Sequence, residues 1–155
     1  MQSSSDNIPK YSVHKVLAHS YFVYFVFFLI GIFLNSVFYI KIFDTSLAAP
    51  SGLVILILST FLILWAQKTS RSFQKETINK ETFCRGPYCY TRIPTHLGLF
   101  FLMLGFGMII NSFFIVLFTL VSFVIAKVVF LRKEEQILAF KYGDPYLEYK
   151  KMVKF

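Results

Sequence analysis

The feature that most constrains this chain is where its charges are missing. No Asp, Glu, Lys or Arg occurs between Lys15 and Lys41, between Asp44 and Lys68, or between Arg92 and Lys127. Each gap is filled with apolar residues, and about 20 of these in a helix cross the roughly 30 Å hydrocarbon core of a bilayer. A water-soluble domain of 155 residues could not cover a chain that is 56% hydrophobic and carries 20 Phe. In a bilayer every backbone polar group must be satisfied inside its own segment, which selects helices here. The expectation is an all-α polytopic membrane protein, one membrane domain over residues 1–155.

Four spans are expected. The first runs from Tyr21 to Ile40, with Asn35 and Ser36 available for helix–helix hydrogen bonds, and the second from Ser51 to Ala66, with Trp65 at the interface. The stretch from Pro94 to Leu131 would extend roughly 57 Å as one helix, almost two bilayer crossings. Asn111-Ser112 near its middle marks a turn, so the reading is a helical hairpin of Pro94–Ile110 and Phe113–Leu131. Lys127 snorkels toward the headgroups. Residues 132–155 form an amphipathic helical tail, broken at Gly143 and restarted at Asp144-Pro145 with Asp as cap; Tyr146 and Tyr149 pin it to the interface.

The basic residues orient the chain. Six Lys or Arg lie in the polar loop Gln67–Ile93 and six in the tail, against one in the Lys41–Pro50 link and none at the Asn111 turn. Four crossings and the positive-inside rule therefore agree in placing the N-terminus, the loop and the tail in the cytoplasm. The first apolar run is too long for a signal-peptide core and reads as a retained span. The net charge of +8 is accounted for by these flanks, which suit anionic headgroups and leave no basic face for nucleic acid. Cys84 and Cys89 lie in the cytosolic loop, where thiols stay reduced, with only His96 nearby as a further ligand; no metal site is expected.

A tight hairpin returns the chain to the depth at which it left. Arg92, just before the third span, and Glu134 and Glu135, just after the fourth, are thus expected to meet at the mouth of an apolar bundle. Gly98 and Gly105 share a face of the third span, for close helix packing or for room beside a ligand.

The segment Gly86-Pro87-Tyr88-Cys89-Tyr90-Thr91-Arg92-Ile93-Pro94-Thr95-His96-Leu97-Gly98 resembles the signature of the isoprenylcysteine carboxyl methyltransferase and phospholipid methyltransferase superfamily: Gly-x-Tyr, then Arg-His-Pro, an aromatic and a Gly. Glu134-Glu135 and the run Tyr142-Gly143-Asp144-Pro145-Tyr146-Leu147-Glu148-Tyr149 are similar to its second half. The two halves occur in the family's order across a hairpin and cover about Arg85 to Phe155. Two positions depart: Ile93 stands where the family has His, and His96 where it has an aromatic.

The resemblance implies methyl transfer from S-adenosylmethionine to a lipophilic acceptor at the cytoplasmic interface, be it a prenylcysteine carboxylate, a phospholipid amine or another small lipophile, drawn from membrane lipids or a lipidated substrate. It implies Arg92 and Glu135 as catalytic groups, and Tyr88, Arg92, Pro94, His96, Gly98, Gly105, Glu134 and Glu135 as the donor pocket. Arg92 would clamp a carboxylate, Glu134 or Glu135 would accept hydrogen bonds from the donor's amino group or ribose, and Tyr88 or Tyr90 would face the sulfonium. The alternatives are a non-catalytic four-span subunit with a degenerate donor site, for which Ile93 is the best support, and a reductase-like relative using NADPH, against which the short chain argues.

Overall fold

The computed structural model describes residues 13–43, 47–72 and 84–153. The polar leader (1–12), residues 44–46 of the link, the middle of the polar loop (73–83, with Lys75, Glu76, Lys80 and Glu81) and the last two residues lie outside this description. The described chain is helical, with no strand. Helix α1 is Val13–Val37 and α2 is Ala48–Ser72; a 3₁₀ turn, Gly86–Cys89, precedes α3, Pro94–Ile110. Then come α4, Phe113–Ile125, a π turn, Ala126–Phe130, α5, Leu131–Tyr142, and α6, Asp144–Met152.

Three helical stretches are long and apolar enough to cross a membrane, Val16–Val37, Ala48–Arg71 and Phe113–Tyr142, and Pro94–Ile110 is a shorter apolar helix. Both α1 and α2 extend beyond the expected spans, α1 by eight residues at its start and α2 by six at its end. At 17 residues, α3 spans roughly 26 Å. Outward faces are apolar throughout: Leu53, Ile57, Leu58, Phe61 and Leu64 on α2 and Phe22, Phe25, Leu29 and Phe33 on α1 are exposed. Water would not tolerate this much contiguous apolar surface, and lipid does.

Helix α2 lies along α3, and α1 along α4. The α2–α3 contact is close because glycine faces glycine. A Cβ on Gly52 would stand 2.7 Å from the Gly105 carbonyl oxygen, and one on Gly105 would stand 2.8 Å from that of Gly52. Between α1, α3 and the π turn, Tyr24, Met103 and Ala126 form a buried cluster with Phe28, Leu99 and Phe123 packed on it. Several hydroxyls in the apolar helices are satisfied within their own turn: Thr119 donates to the Ile115 carbonyl (2.7 Å) and Ser122 to that of Thr119 (2.8 Å). Ser36, expected to bond between helices, likewise donates to Ile32 of its own helix (3.1 Å).

The hairpin turns at Asn111-Ser112. Asn111 is left-handed (φ 56°) and Ser112 caps α4 by accepting from the Ile115 N–H (3.3 Å). The Asn111 amide also binds the link after α1. Its Oδ1 accepts from the Ile42 and Phe43 N–H groups (3.0 Å each), and its Nδ2 donates to the Phe43 carbonyl (2.6 Å). One side chain thereby ties the hairpin tip to the α1–α2 connection.

The expected break between a fourth span and a separate tail at residue 132 is replaced by a continuous rod, because α4, the π turn and α5 follow without interruption. The Leu131 N–H bonds back to the Ala126 carbonyl, five residues away. Such a turn winds more slowly than an α turn, so Glu134 comes round to the face of Ala126 rather than roughly a quarter turn past it. The tail breaks at Gly143 (φ 62°), as expected. Asp144 begins α6 without making the expected side-chain cap bond.

Candidate functional site

The site lies where the start of α3 meets α5. Pro94 opens α3, where its missing N–H costs nothing and its fixed φ suits a first turn. That places Arg92 and Ile93 just ahead of the helix and His96 in its first turn. Across from them, Glu134 and Glu135 project from α5, delivered by the phase of the π turn.

Arg92 Nη1 donates to Glu135 Oε1 at 2.5 Å, and both side chains are mostly buried, 16% and 13% exposed. The other Glu135 oxygen receives Lys150 Nζ of α6 at 2.7 Å. Glu135 is therefore held by two cations from two different elements. Glu134 Oε2 lies 3.5 Å from His96 Nε2. His96 is 3% exposed, and its Nδ1 lies 3.3 Å from the Ser20 hydroxyl of α1. Tyr21 and Tyr24 bracket the ring, with centroids at 6.1 and 6.2 Å. His96 Nε2 and Tyr24 Oη are among the buried polar atoms that make no hydrogen bond within the described residues. A polar ligand group would complete both.

Tyr88 forms the wall nearest the loop. The Gly86–Cys89 turn seats against α2, where a Cβ on Gly86 (φ +56°) would meet Thr69 and Trp65. Burial pushes the Tyr88 phenol up to about 12, a hydrogen bond with Ser70 pulls it back, and the Glu134 and Tyr21 charges push it further. Helix α6 closes the remaining side. Tyr149 donates to the Tyr88 carbonyl at 2.7 Å, and Tyr146 and Tyr149 are buried with Val153 against Leu138, Ala139 and Tyr142. Burial, then neighbouring acidic groups, raise both phenols well above their ordinary range. Expected as interface anchors, these tyrosines instead pack inward.

Of the residues marked in the sequence, Arg92, His96, Glu134 and Glu135 are brought together, and Tyr88 borders them. Pro94 is buried at the start of α3. Gly98 and Gly105 point elsewhere, into α2: a Cβ on Gly98 would stand 2.5 Å from Ile63 Cγ1. Tyr90 is 80% exposed. Sequence reasoning missed Ser20, an unremarkable serine in an aromatic run, and Lys150, one of several basic residues in the tail. Only the i, i+4 neighbourhood of Ser20 with Tyr24 would have signalled a polar stripe on α1.

The phospholipid methyltransferase family model matches residues 47–145. That is more than half of the chain, from the start of α2 to the start of α6. The chain belongs to the phospholipid methyltransferase family. No curated protein matches it, and no solved structure does. The family match takes in Arg92, His96, Glu134 and Glu135 and leaves α1, with Ser20, Tyr21 and Tyr24, outside. Membership accounts for an apolar helical chain whose acidic and basic groups converge at one end of a helical hairpin.

Proposed function

We infer that this chain is a membrane methyltransferase that takes the methyl group of S-adenosylmethionine and passes it to a lipophilic acceptor at the cytoplasmic interface. The observation that carries the reading is the convergence of Arg92, Glu135, Glu134 and His96 at the mouth of the α3–α4 hairpin, within the family match. The donor brings an activated methyl on a sulfonium cation, so the protein needs no covalent nucleophile. It needs to hold, align and dry the reactants.

The residues suit that task. Arg92 has a planar fork able to take a carboxylate, and Glu135 already orients it. Glu134 offers acceptor oxygens for an amino group or ribose. Tyr88 lends an aromatic face beside these carboxylates. The tyrosines of α6 and the cluster below Tyr24 exclude water from two sides. The polar site opens off an apolar bundle, which favours an acceptor arriving from lipid, and the family name points to phospholipid. Gly98 and Gly105 enter as packing residues that set the α2–α3 distance beneath the pocket.

We read Ile93 as compatible with a working site. It is buried just ahead of α3, and His96, in the first turn, still presents an imidazole to Glu134 at 3.5 Å. The test is transfer of radiolabelled methyl from S-adenosylmethionine to lipid by the purified protein in vesicles. Label in the lipid fraction, lost with Arg92→Ala, is expected; absence of transfer from a folded protein that also fails to bind the donor would overturn the reading.

A further inference from the structure

Two cations stand on the outer surface of the α4–α5 rod, Lys127 within the π turn and Arg132 just after it. Lys127 follows Ala126, which is buried with Tyr24 and Met103. Met103 lies seven residues beyond His96 along α3, roughly 10 Å at 1.5 Å per residue. The Lys127 backbone is therefore well below the mouth of the site, inside the apolar part of the bundle. Its side chain is exposed, and so are Val124, Val128 and Val129 around it. An ammonium in such surroundings is costly unless an anion comes to it.

Arg132 is exposed as well, one turn nearer the mouth. In an α-helix, residues five apart leave from different faces. The extra residue that the π turn takes up brings Lys127 and Arg132 nearly into line along the rod. Lys133, next to Arg132, is also exposed. The carboxylates of the same stretch are engaged elsewhere, Glu134 beside His96 and Glu135 with Arg92 and Lys150. Among the described residues, no ion pair or hydrogen bond engages Lys127, Arg132 or Lys133. This flank of the rod thus offers lipid three cations and no free carboxylate.

We propose that Lys127 and Arg132 hold the phosphodiester of an anionic phospholipid against the π turn, as a bound lipid distinct from any methyl acceptor. The chemistry selects the ligand. A phosphodiester supplies acceptor oxygens to both groups, and the planar fork of Arg132 takes two of them at once. Lys127 reaches toward the same phosphate from below, with its stem along the apolar surface. The acyl chains then lie on Val124, Val128 and Val129. A headgroup with no ammonium of its own is preferred, because Lys133 stands beside the phosphate and no exposed carboxylate is there to receive a cation. A phosphate that bridges the turn also fixes the winding on which the position of Glu134 depends.

The test is native mass spectrometry of the full chain in a mild detergent, titrated with phosphatidylglycerol, phosphatidylcholine or phosphate-free diacylglycerol. The wild type is expected to retain phosphatidylglycerol in preference to the other two. Lys127→Gln combined with Arg132→Gln loses about 30-fold in affinity for phosphatidylglycerol. Lys68→Gln combined with Arg71→Gln removes the same charge from the end of α2 and leaves that affinity unchanged. Soluble glycerophosphoglycerol, the headgroup without its chains, leaves the bound lipid in place. Equal losses in the two double variants would reduce the effect to net charge and overturn the site, as would undiminished binding in the Lys127 and Arg132 variant. Equal retention of phosphatidylcholine or diacylglycerol by the wild type, or displacement by the soluble headgroup, overturns the assignment to an anionic lipid. Retention needs no methyl donor, so either outcome is independent of the methyltransferase reading.

Discussion

Arg92 and Glu135 stand 43 positions apart in sequence, and their side chains meet at 2.5 Å. The relationship follows from the hairpin, since α3 leaves the site and α4 with α5 returns to it. Removing one partner strands a mostly buried charge, although Lys150 remains beside Glu135. Arg92→Ala is expected to cost about 2 kcal/mol of stability. Glu135→Gln, which keeps the shape and loses the charge, should cost less. Equal thermal stability of Arg92→Ala and wild type in detergent would show that the pair contributes nothing to the fold.

At the opposite end, Asn111 makes three hydrogen bonds to the link after α1 while adopting φ 56°. Asn111→Ala loses all three and places a Cβ residue in the left-handed region, so a loss of about 2–4 kcal/mol is expected. Asn111→Gly recovers the backbone part alone and should fall between. The check is reversible unfolding in mixed micelles, and an Asn111→Gly variant as stable as wild type would contradict the role of the amide.

The Gly52–Gly105 contact predicts a steric effect. Gly105→Leu must push α2 away from α3, because even a Cβ would lie 2.8 Å from the Gly52 carbonyl oxygen. Disulfide crosslinking between cysteines placed on the facing helices should fall sharply in this variant. Undiminished crosslinking would mean that the helices do not pack at this point.

The alkaline side of the pH range is set by the site tyrosines. The fold holds the Tyr88 phenol protonated up to about 12, against an ordinary value of 10.0, chiefly through burial. The folded state therefore binds more protons than the unfolded state between those values. Its contribution is fully present below pH 10 and is lost as pH rises through the folded value. Tyr146 and Tyr149 shift in the same direction. Stability should decline through this window, and less steeply in Tyr88→Phe. A flat stability profile in the wild type would contradict the burial of these phenols.

Much of this was readable in the residues, for physical reasons. The charge-free runs determine helices, and Asn111-Ser112 determines the turn, because a polar pair in the middle of an overlong apolar run has few other uses. The turn then brings Arg92 to Glu135. What could not be read was set by tertiary contact. No local signal distinguishes the π turn at Ala126–Phe130 from ordinary helix, yet it sets the face on which Glu134 emerges. Tyr146 and Tyr149 look amphipathic in isolation, and only the docking of α6 on Tyr88 buries them. Gly98 and Gly105 are equally compatible with a ligand and a helix until Ile63, Leu56 and Gly52 are placed beside them.

The most direct test of the central claim is calorimetric titration of the purified protein with S-adenosylmethionine, in parallel with Glu135→Gln. The account predicts that the wild type binds and that the substitution abolishes binding while the protein stays folded. Equal binding in both would contradict the assignment of the site to Arg92 and Glu135, and no binding in either, with the fold intact and lipid present, would contradict the methyltransferase reading itself.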